Sequence, residues 1–353
     1  MHQTESIAAL TNSRPLCYNP PAQMTRPRIS VVIPTRNGAR TLAACLESLR
    51  ASSFPPAEII VVDDASSDDS GEIARRFDCR VVRVDENIGA ARAKNRGARE
   101  ATGDILFFTD DDVIITRDAL QHLIENFADA RVAGVVGLLD SKIPFDDFAS
   151  NFKNLWMRFT YERVPRERIA LFYTSVAAMR RDVFLRLGSF DENYRGASIA
   201  EDTEFGQRAW AAGHNLVLDP RVVVTHCKHY TPREVLQTDF LRARALMLMR
   251  LRKWGHAKRF YTSVPRFYQL AVPTIFAALA SLAFAFFNTI FLAISAFLLF
   301  TFYFLLSPWL AYLAREHGLR FALIAALFQP IDAIVVGWGM LKAVMEFVRG
   351  RRY

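Results

Sequence analysis

The chain has 353 residues, of which 51% are hydrophobic and 23% charged, and this composition excludes a disordered protein. Its four cysteines include no C-x-x-C pair, which argues against a zinc ribbon or a disulfide scaffold and indicates a reducing compartment. The net charge of +8 raises the question of nucleic acid, but no motif that reads nucleic acid accompanies it, so we expect no such partner.

The first 27 residues are polar and contain several prolines, and they lack the apolar core of a cleaved signal peptide. We therefore expect residues 1–27 to form a disordered tail. Beyond them, short apolar runs alternate with segments of helical spacing, such as 42–49 and 120–127. This alternation predicts an α/β fold with a doubly wound, mainly parallel sheet flanked by helices. The predicted strands are 29–33, 59–62, 80–84, 105–108 and 132–139.

Acidic side chains follow two of these strands. Asp63 and Asp64 follow the second, and Asp110, Asp111 and Asp112 follow the fourth. Ligands of doubly wound sheets bind at the carboxyl ends of the strands, and crowded carboxylates favour a cation between them. Because Mg²⁺ and Mn²⁺ are often held by one or two carboxylates together with substrate phosphates, the triple aspartate predicts a metal-bound diphosphate. Solvated loops and helix caps remain the alternative for both clusters.

The segment 87–97 and the pair Glu201-Asp202 carry further candidate residues. Segment 87–97 is rich in small and basic residues, and Arg92 or Lys94 can offset phosphate charge there. A small-residue helix packed on the sheet explains the same pattern. Glu201 and Asp202 open a predicted helix, where a carboxylate can act as a general base or simply complement the helix dipole.

A histidine follows the apolar run at 222–225. His226 can supply a nitrogen ligand to a metal, although a lone structural histidine is the alternative. A four-ligand zinc site is not expected, because no second pair of ligands has suitable spacing. The residues alone leave its role open.

The last hundred residues are apolar and are preceded by a basic stretch. Between Leu241 and Phe267 the chain has eight basic residues and no acidic one, which is typical of a cytoplasmic membrane face. Three apolar runs follow at 267–287, 289–312 and 321–347, each long enough to cross a bilayer. We expect a multi-pass protein of the inner cell membrane that contacts membrane lipid and keeps its soluble part on the cytoplasmic side.

The third apolar run leaves the topology open. A full third span places Arg349, Arg351 and Arg352 outside, against the positive-inside rule. Gln329 and Asp332 also interrupt this run. It is therefore a re-entrant or interfacial segment, or an exception to the rule.

Five motifs occur in a fixed order between residues 28 and 230. Their order resembles that of the family 2 glycosyltransferases, which have a GT-A fold. The motifs that carry this resemblance lie at 29–37, 60–66, 87–97, 103–112 and 188–202. The resemblance implies a catalytic domain over 28–230. It leaves a basic amphipathic membrane-interface segment at 231–266, a transmembrane region at 267–347 and a basic tail at 348–353.

The resemblance also implies roles for individual side chains. Asp202 matches the general base of the family's ED motif. The outer acids of its DxD motif are Asp110 and Asp112, which hold the ribose and the metal-bridged diphosphate, and His226 falls where some relatives place a further metal ligand. The donor nucleotide is assigned to Pro34, Arg36, Asp64, Arg92, Lys94, Asp110, Asp111 and Glu201.

The activity implied is the inverting transfer of one sugar from a nucleotide-diphosphate sugar to a lipid-linked or membrane-associated acceptor, with Mn²⁺ or Mg²⁺ as cofactor. Arg36 and Gly38 depart from the usual first motif, where an aromatic residue and a glutamate flank Asn37. The Q-x-x-R-W signature of processive synthases is absent, which favours transfer of a single sugar. The alternatives are a non-catalytic membrane subunit that binds nucleotide-sugars and a nucleotidyltransferase.

Overall fold

The structure is a computed structural model, and it describes residues 26–194, 200–252 and 261–351. The expected tail at 1–27 thus lies almost wholly outside the described residues. Within them, the strands are β1 (Ile29–Thr35), β2 (Glu58–Asp64), β3 (Arg80–Val84), β4 (Ile105–Phe108), β5 (Val113–Ile115), β6 (Val132–Leu139), β7 (Ala177–Arg180) and β8 (Asn215–His226).

These strands form one mixed sheet in the order β3-β2-β1-β4-β7-β6-β8-β5. The half that contains β1 to β4 is parallel, as the sequence predicts. The other half is mixed, because β7 runs antiparallel to both β4 and β6, and β5 runs antiparallel to β8. Strand β6 nevertheless pairs parallel with β8, so the expectation of a mainly parallel sheet is confirmed. Strand β7 carries no β-branched residue, so its sequence gives little sign of a strand.

Helices cover both faces of the sheet and continue into the C-terminal region. The helices expected around 42–49 and 120–127 are confirmed as α1 and α4. Among the described residues, the helices are α1 (Leu42–Arg50), α2 (Ser70–Arg76), α3 (Ala90–Glu100), α4 (Ala119–Asn126), α5 (Phe148–Glu162), α6 (Arg181–Arg186), α7 (Glu201–Ala211), α8 (Pro232–Arg252), α9 (Arg266–Phe284) and α10 (Ile290–Val348).

An aromatic cluster fixes α7 against the sheet. Phe205 of α7 is fully buried, and its ring centroid lies 5.0 Å from those of Phe184 and Phe190 and 5.2 Å from that of Phe172. Phe190 in turn packs on Phe108 of β4 at 5.3 Å. Since aromatic pairs of this kind are rigid and bury much apolar area, the cluster holds the start of α7 beside the carboxyl end of β4.

The C-terminal region is a set of long apolar helices. Helices α9 and α10 are long and apolar enough to cross a membrane, by length and composition. Helix α10 is broken at Gly318, whose backbone is not helical, and Trp309 Nε1 before the break donates to Gln329 Oε1 after it at 3.0 Å. The two halves of α10 therefore fold back on each other. The apolar runs predicted at 289–312 and 321–347 correspond to these halves.

The basic stretch does not lie where the sequence suggested. Helix α8 packs between α5 and α10, and Arg244 there pairs with Glu346 of α10 at 2.6 Å. Arg242 lines an internal cavity. These two arginines therefore lie on the packed faces of α8, although they belong to a stretch that is typical of a membrane face. The basic residues within 253–260 lie outside the described residues.

Candidate active site

A cavity of about 750 Å³ opens at the carboxyl ends of β1, β2 and β4, beside the start of α7 and the side of α8. Most residues that the sequence singles out come together there. Those that line it are Pro34, Arg36, Asp64, Lys94, Asp110, Asp111, Asp112, Asp202 and His226. Arg92 and Glu201 do not line the cavity.

Two carboxylates and one imidazole form a candidate metal centre. Ligand atoms of Asp110, Asp112 and His226 all lie within 4.8 Å of one another. The sheet produces this arrangement, because β5 pairs antiparallel with β8 and places His226 opposite Val113, directly after the aspartates. Residues more than a hundred positions apart are thus brought to one point.

The chemistry of this donor set suits a divalent cation. Asp112 Oδ1 is buried, and among the described residues no well-aligned hydrogen bond reaches it, although His226 Nε2 lies 3.2 Å away. Leaving such an oxygen unsatisfied is costly unless a cation or water completes it. Asp110 Oδ2 accepts a hydrogen bond from Ser175 Oγ at 2.5 Å, which orients its carboxylate. Two carboxylates and an imidazole match the preferences of Mn²⁺, and Mg²⁺ fits the carboxylates.

Asp111, between the two metal candidates, turns the other way and is held by β1. Its carboxylate accepts a hydrogen bond from Thr35 Oγ1. Burial and the adjacent charges of Asp112 and Asp110 raise the pKa of Asp111 to about 7, although the Thr35 hydrogen bond opposes this. A Cβ atom on Gly38 would lie 2.1 Å from Asp111 Oδ2. The glycine that replaces the family's usual glutamate therefore makes room for this carboxylate.

Asp64 positions a loop at the edge of the cavity. Its two carboxylate oxygens accept hydrogen bonds from the backbone N–H groups of Ile88 at 2.7 Å and Gly89 at 3.0 Å. Gly89 precedes α3 with a φ of 83°, a conformation that glycine adopts without strain. The neighbouring Asp63 faces away and pairs with Arg83 at 2.9 Å. Contact between Asp64 and a nucleoside base stays a prediction.

The two basic candidates of α3 behave differently. Lys94 lines the cavity, but its Nζ donates to Glu201 Oε1 at 3.0 Å and to Thr174 Oγ1 at 2.6 Å. Both partners of this ion pair are buried, with 3% and 0% of their side chains exposed. Arg92 is partly exposed and does not line the cavity, and its Nε lies 3.4 Å from Glu192. Glu201 therefore anchors Lys94 beneath the cavity, and the geometry gives Arg92 no direct place at the donor.

Asp202 opens α7 with one carboxylate oxygen available to the cavity. Oδ1 accepts the N–H of Thr203 at 2.6 Å, while no hydrogen bond from the described residues reaches Oδ2. Burial and the adjacent Glu201 charge raise the pKa of Asp202 to about 6, and the cations of Lys94 and Arg242 partly oppose this shift. A carboxylate with a raised pKa accepts a proton more readily than an ordinary one, which suits a general base.

Several residues of the cavity were missed in the sequence. Arg242 of α8 and Lys153 of α5 line it, as do Ser175 and Lys228. The sequence analysis did not connect these residues with the site, because they are distant in sequence from the strand ends that predicted it. The sequence held no signal for Arg242, because nothing in its spacing distinguishes it from the basic residues that follow it.

Known proteins resemble this chain in sequence. Residues 30–188 match the model of glycosyl transferase family 2. The chain is 26% identical over 228 residues to an O-antigen chain rhamnosyltransferase of Salmonella anatum, covering 61% of this chain and 70% of that protein. It is 30% identical over 203 residues to the PGL/p-HBAD biosynthesis glycosyltransferase of Mycobacterium bovis, covering 53% of this chain and 72% of that one.

A solved structure shows the same fold. The mannosyltransferase from Pyrobaculum calidifontis, in complex with GDP-Man and Mn²⁺, superposes with a TM-score of 0.57 at 21% identity, over 92% of this chain and 88% of that one. The GT-A fold expected from the sequence is therefore confirmed. On the family model and the relatives together, this chain belongs to glycosyltransferase family 2 and is a glycosyltransferase.

Proposed function

We propose that this enzyme transfers a single sugar, with inversion, from a nucleotide-diphosphate sugar to a lipid-linked acceptor at a membrane. The observation that carries the proposal is that one cavity contains both the Asp110–Asp112–His226 cluster and the free Oδ2 of Asp202. A cation site and a base with a raised pKa in the same space are what a sugar transfer from a diphosphate requires.

The donor is proposed to lie with its diphosphate at the metal cluster. Asp110, Asp112 and His226 would hold Mn²⁺ or Mg²⁺, which offsets negative charge on a departing nucleoside diphosphate. Arg36 is exposed on the rim of the cavity and can reach a phosphate or the nucleotide. Asp64 keeps the loop at 87–89 against the nucleotide side. The mannosyltransferase named above was solved with GDP-Man and Mn²⁺, which supports a nucleotide-sugar donor and a divalent metal for this fold.

The acceptor hydroxyl is proposed to meet Asp202. Oδ2 takes the hydroxyl proton as the acceptor oxygen forms a bond to the anomeric carbon and the bond from that carbon to the diphosphate oxygen breaks. One direct displacement leaves the opposite anomeric configuration, and the proton ends on Asp202. The buried Lys94–Glu201 pair holds the beginning of α7 and hence the position of this carboxylate.

The C-terminal helices support a membrane-bound acceptor. Large apolar side chains of α9, α10 and the turn between them are exposed, including Phe286 at 91% and Leu327 at 77%. We assign the catalytic domain to 28–230 and a multi-pass anchor in the inner membrane to α9 and α10, with the cavity on the cytoplasmic side. An O-antigen chain rhamnosyltransferase among the relatives favours a role in cell-envelope polysaccharide or glycolipid synthesis.

The experiment is nucleoside diphosphate release by the detergent-purified full chain, with UDP-, GDP- and dTDP-sugars and a membrane lipid extract as acceptor source. Manganese, magnesium and EDTA are compared for each donor. We expect release from one donor class, stimulated by lipid extract and abolished by EDTA, and NMR of the product to show an inverted anomeric carbon. Release that is indifferent to EDTA, or a retained configuration, would overturn the proposal.

A further inference from the structure

A second cavity, of about 240 Å³, lies among α5, α8, α9 and α10. Most of its lining is apolar, and Trp156, Leu246, Met247, Val272 and Val336 are typical members. Protein interiors are close-packed and leave few voids larger than a water molecule. A cavity of this size and lining is therefore suited to an apolar group.

Arg242 connects the two cavities, because it lines both the apolar one and the catalytic one. The side chain is half-buried, and its Nη1 lies 2.9 Å from the sulfur of Met157. Among the described residues no carboxylate lies within ion-pair distance of it. A half-buried guanidinium with a thioether as its neighbour is a strong candidate to bind an anion.

Arg250 also lines the apolar cavity, but it is exposed and does not line the catalytic one. The other charged groups between the cavities already have partners. Lys153, which lines the catalytic cavity, pairs with Asp239, which lines the apolar one. Asp332 accepts hydrogen bonds from Tyr268 Oη at 2.7 Å and from Gln329 Nε2 at 3.0 Å. Charge complementarity therefore points to Arg242 as the anion-binding group of this wall.

We propose that Arg242 binds the phosphate of the lipid acceptor, whose hydrocarbon chain enters the apolar cavity while its sugar or hydroxyl end projects toward Asp202. This inference rests on the proposed function and specifies its acceptor site. The apolar cavity, Arg242 and the catalytic cavity around Asp202 follow one another in space. A molecule with an apolar chain, a phosphate and a polar acceptor group matches these three zones in their order. The donor matches them less well, since its diphosphate lies at the Asp110–Asp112–His226 cluster and it has no group for an apolar cavity.

The test is photolabelling of the full chain in non-ionic detergent with a long-chain alkyl phosphate that carries a diazirine next to the phosphate. The alcohol of the same chain length is the second probe, and labelled peptides are mapped by mass spectrometry. We expect the phosphate probe to label the α8 segment that carries Leu246 and Met247. Arg242→Gln should lower this labelling about tenfold or more for the phosphate and much less for the alcohol, because a charge-assisted hydrogen bond is lost.

Val336→Trp fills the cavity and should lower labelling by both probes about tenfold. Val344→Trp is its matched control, since Val344 lies on the same helix, is 40% exposed and does not line the cavity. Labelling confined to exposed side chains of α9 and α10 and equal in all variants would overturn the proposal. So would full competition by inorganic phosphate, which would indicate a free-anion site, or by nucleoside diphosphate with Mn²⁺, which would indicate that Arg242 serves the donor.

Nucleoside diphosphate release is measured on the same preparation, so the two proposals fail separately. Metal-dependent release of nucleoside diphosphate without labelling of α8 would refute the proposed acceptor site but not the transferase assignment. Labelling of α8 with the expected response to Arg242→Gln, but without release from any donor, would support the lipid site and count against the proposed function.

Discussion

The sheet region and the C-terminal helices distribute polarity in opposite ways. The sheet region buries its apolar residues and gathers charge around one cavity, where Asp202 is 8% exposed. The C-terminal helices expose Phe286 and Leu327 and bury Gln329 and Asp332, which are 1% and 4% exposed. An apolar exterior around polar interior groups is the pattern expected of helices surrounded by lipid.

The polar cavity and the apolar exterior meet at helix α8. Helix α8 belongs to both regions, because Arg242 lines the catalytic cavity and Arg244 pairs with Glu346 of α10. In our proposal, the donor and the lipid acceptor therefore approach the same helix through the two cavities that Arg242 lines. A substitution in the cavity should therefore affect mainly catalysis, and a substitution on the apolar exterior should affect mainly membrane insertion.

The largest effect is expected for Asp202→Asn. The amide cannot take the acceptor proton, so kcat should fall by about 10²–10⁴-fold, as for the loss of a general base. The measurement is nucleoside diphosphate release at saturating donor. Asp219→Asn is the control, since Asp219 is also buried but pairs with Arg221 outside the cavity. Equal kcat in the Asp202→Asn variant and the parent would refute the base assignment.

The apolar exterior is tested by Leu327→Arg. A charge in the middle of a membrane helix opposes insertion by about 2.5–3.5 kcal/mol, so the yield of membrane-integrated protein should fall sharply. Leu319→Arg is the matched control, because Leu319 is 69% exposed but follows the break at Gly318, where an arginine can reach the interface. Sedimentation of membranes after carbonate washing measures the yield. Similar yields for both variants would count against a membrane-spanning segment that contains Leu327.

The metal cluster is tested by His226→Ala. Loss of one ligand should raise the Mn²⁺ concentration needed for half-maximal activity by about tenfold to a hundredfold, on the scale of altered metal shells. Titration of activity with Mn²⁺ measures this directly. His229→Ala is the control, because His229 is 59% exposed and lies near Asp147 rather than at the cluster. An unchanged Mn²⁺ requirement in His226→Ala would remove this residue from the centre.

The smallest expected effect is a shift in the pH dependence of kcat when Glu201 of the Lys94–Glu201 pair is changed. Since the base works deprotonated, kcat should rise with pH through a midpoint near 6, the raised pKa of Asp202. Glu201→Gln removes the like charge and leaves the cations of Lys94 and Arg242, so this midpoint should move to lower pH. The nearby Tyr161 hydroxyl stays neutral, because burial raises its pKa well above the working range.

The control for this pH profile is Glu204→Gln on the same helix, where Glu204 pairs with Arg208 instead. Its midpoint should remain where the parent enzyme has it. A midpoint that moves upward in Glu201→Gln would contradict the assignment of the titration to Asp202.

The parts of the site predicted from sequence are those that follow single strands or open single helices. Asp64 ends a buried strand, Asp110 follows one and Asp202 begins a helix, so local pattern singled them out as candidates and the family resemblance supplied their roles. Lys94 lines the cavity and Arg92 does not, and nothing in the spacing of 87–97 distinguishes the two.

What could not be predicted depends on contacts between distant segments. The Asp112–His226 approach requires the antiparallel pairing of β5 with β8, and β5 is too short to be recognised alone. Arg242 was attributed to the membrane face because its basic neighbours dominate the local charge. Only the packing of α8 between α5 and α10 turns it inward.

Our central proposal is that the metal cluster binds the donor and Asp202 removes the acceptor proton, so the two roles belong to different residues of one cavity. The most direct measurement is the affinity of the full chain for nucleoside diphosphate with Mn²⁺ in the Asp202→Asn and Asp112→Asn variants, beside the transfer rate of each. We expect Asp202→Asn to bind nucleoside diphosphate within about twofold of the parent while transfer is lost, and Asp112→Asn to bind it about tenfold more weakly, a difference of about 1.4 kcal/mol. Equal loss of binding in both variants, or normal transfer by Asp202→Asn, would contradict it.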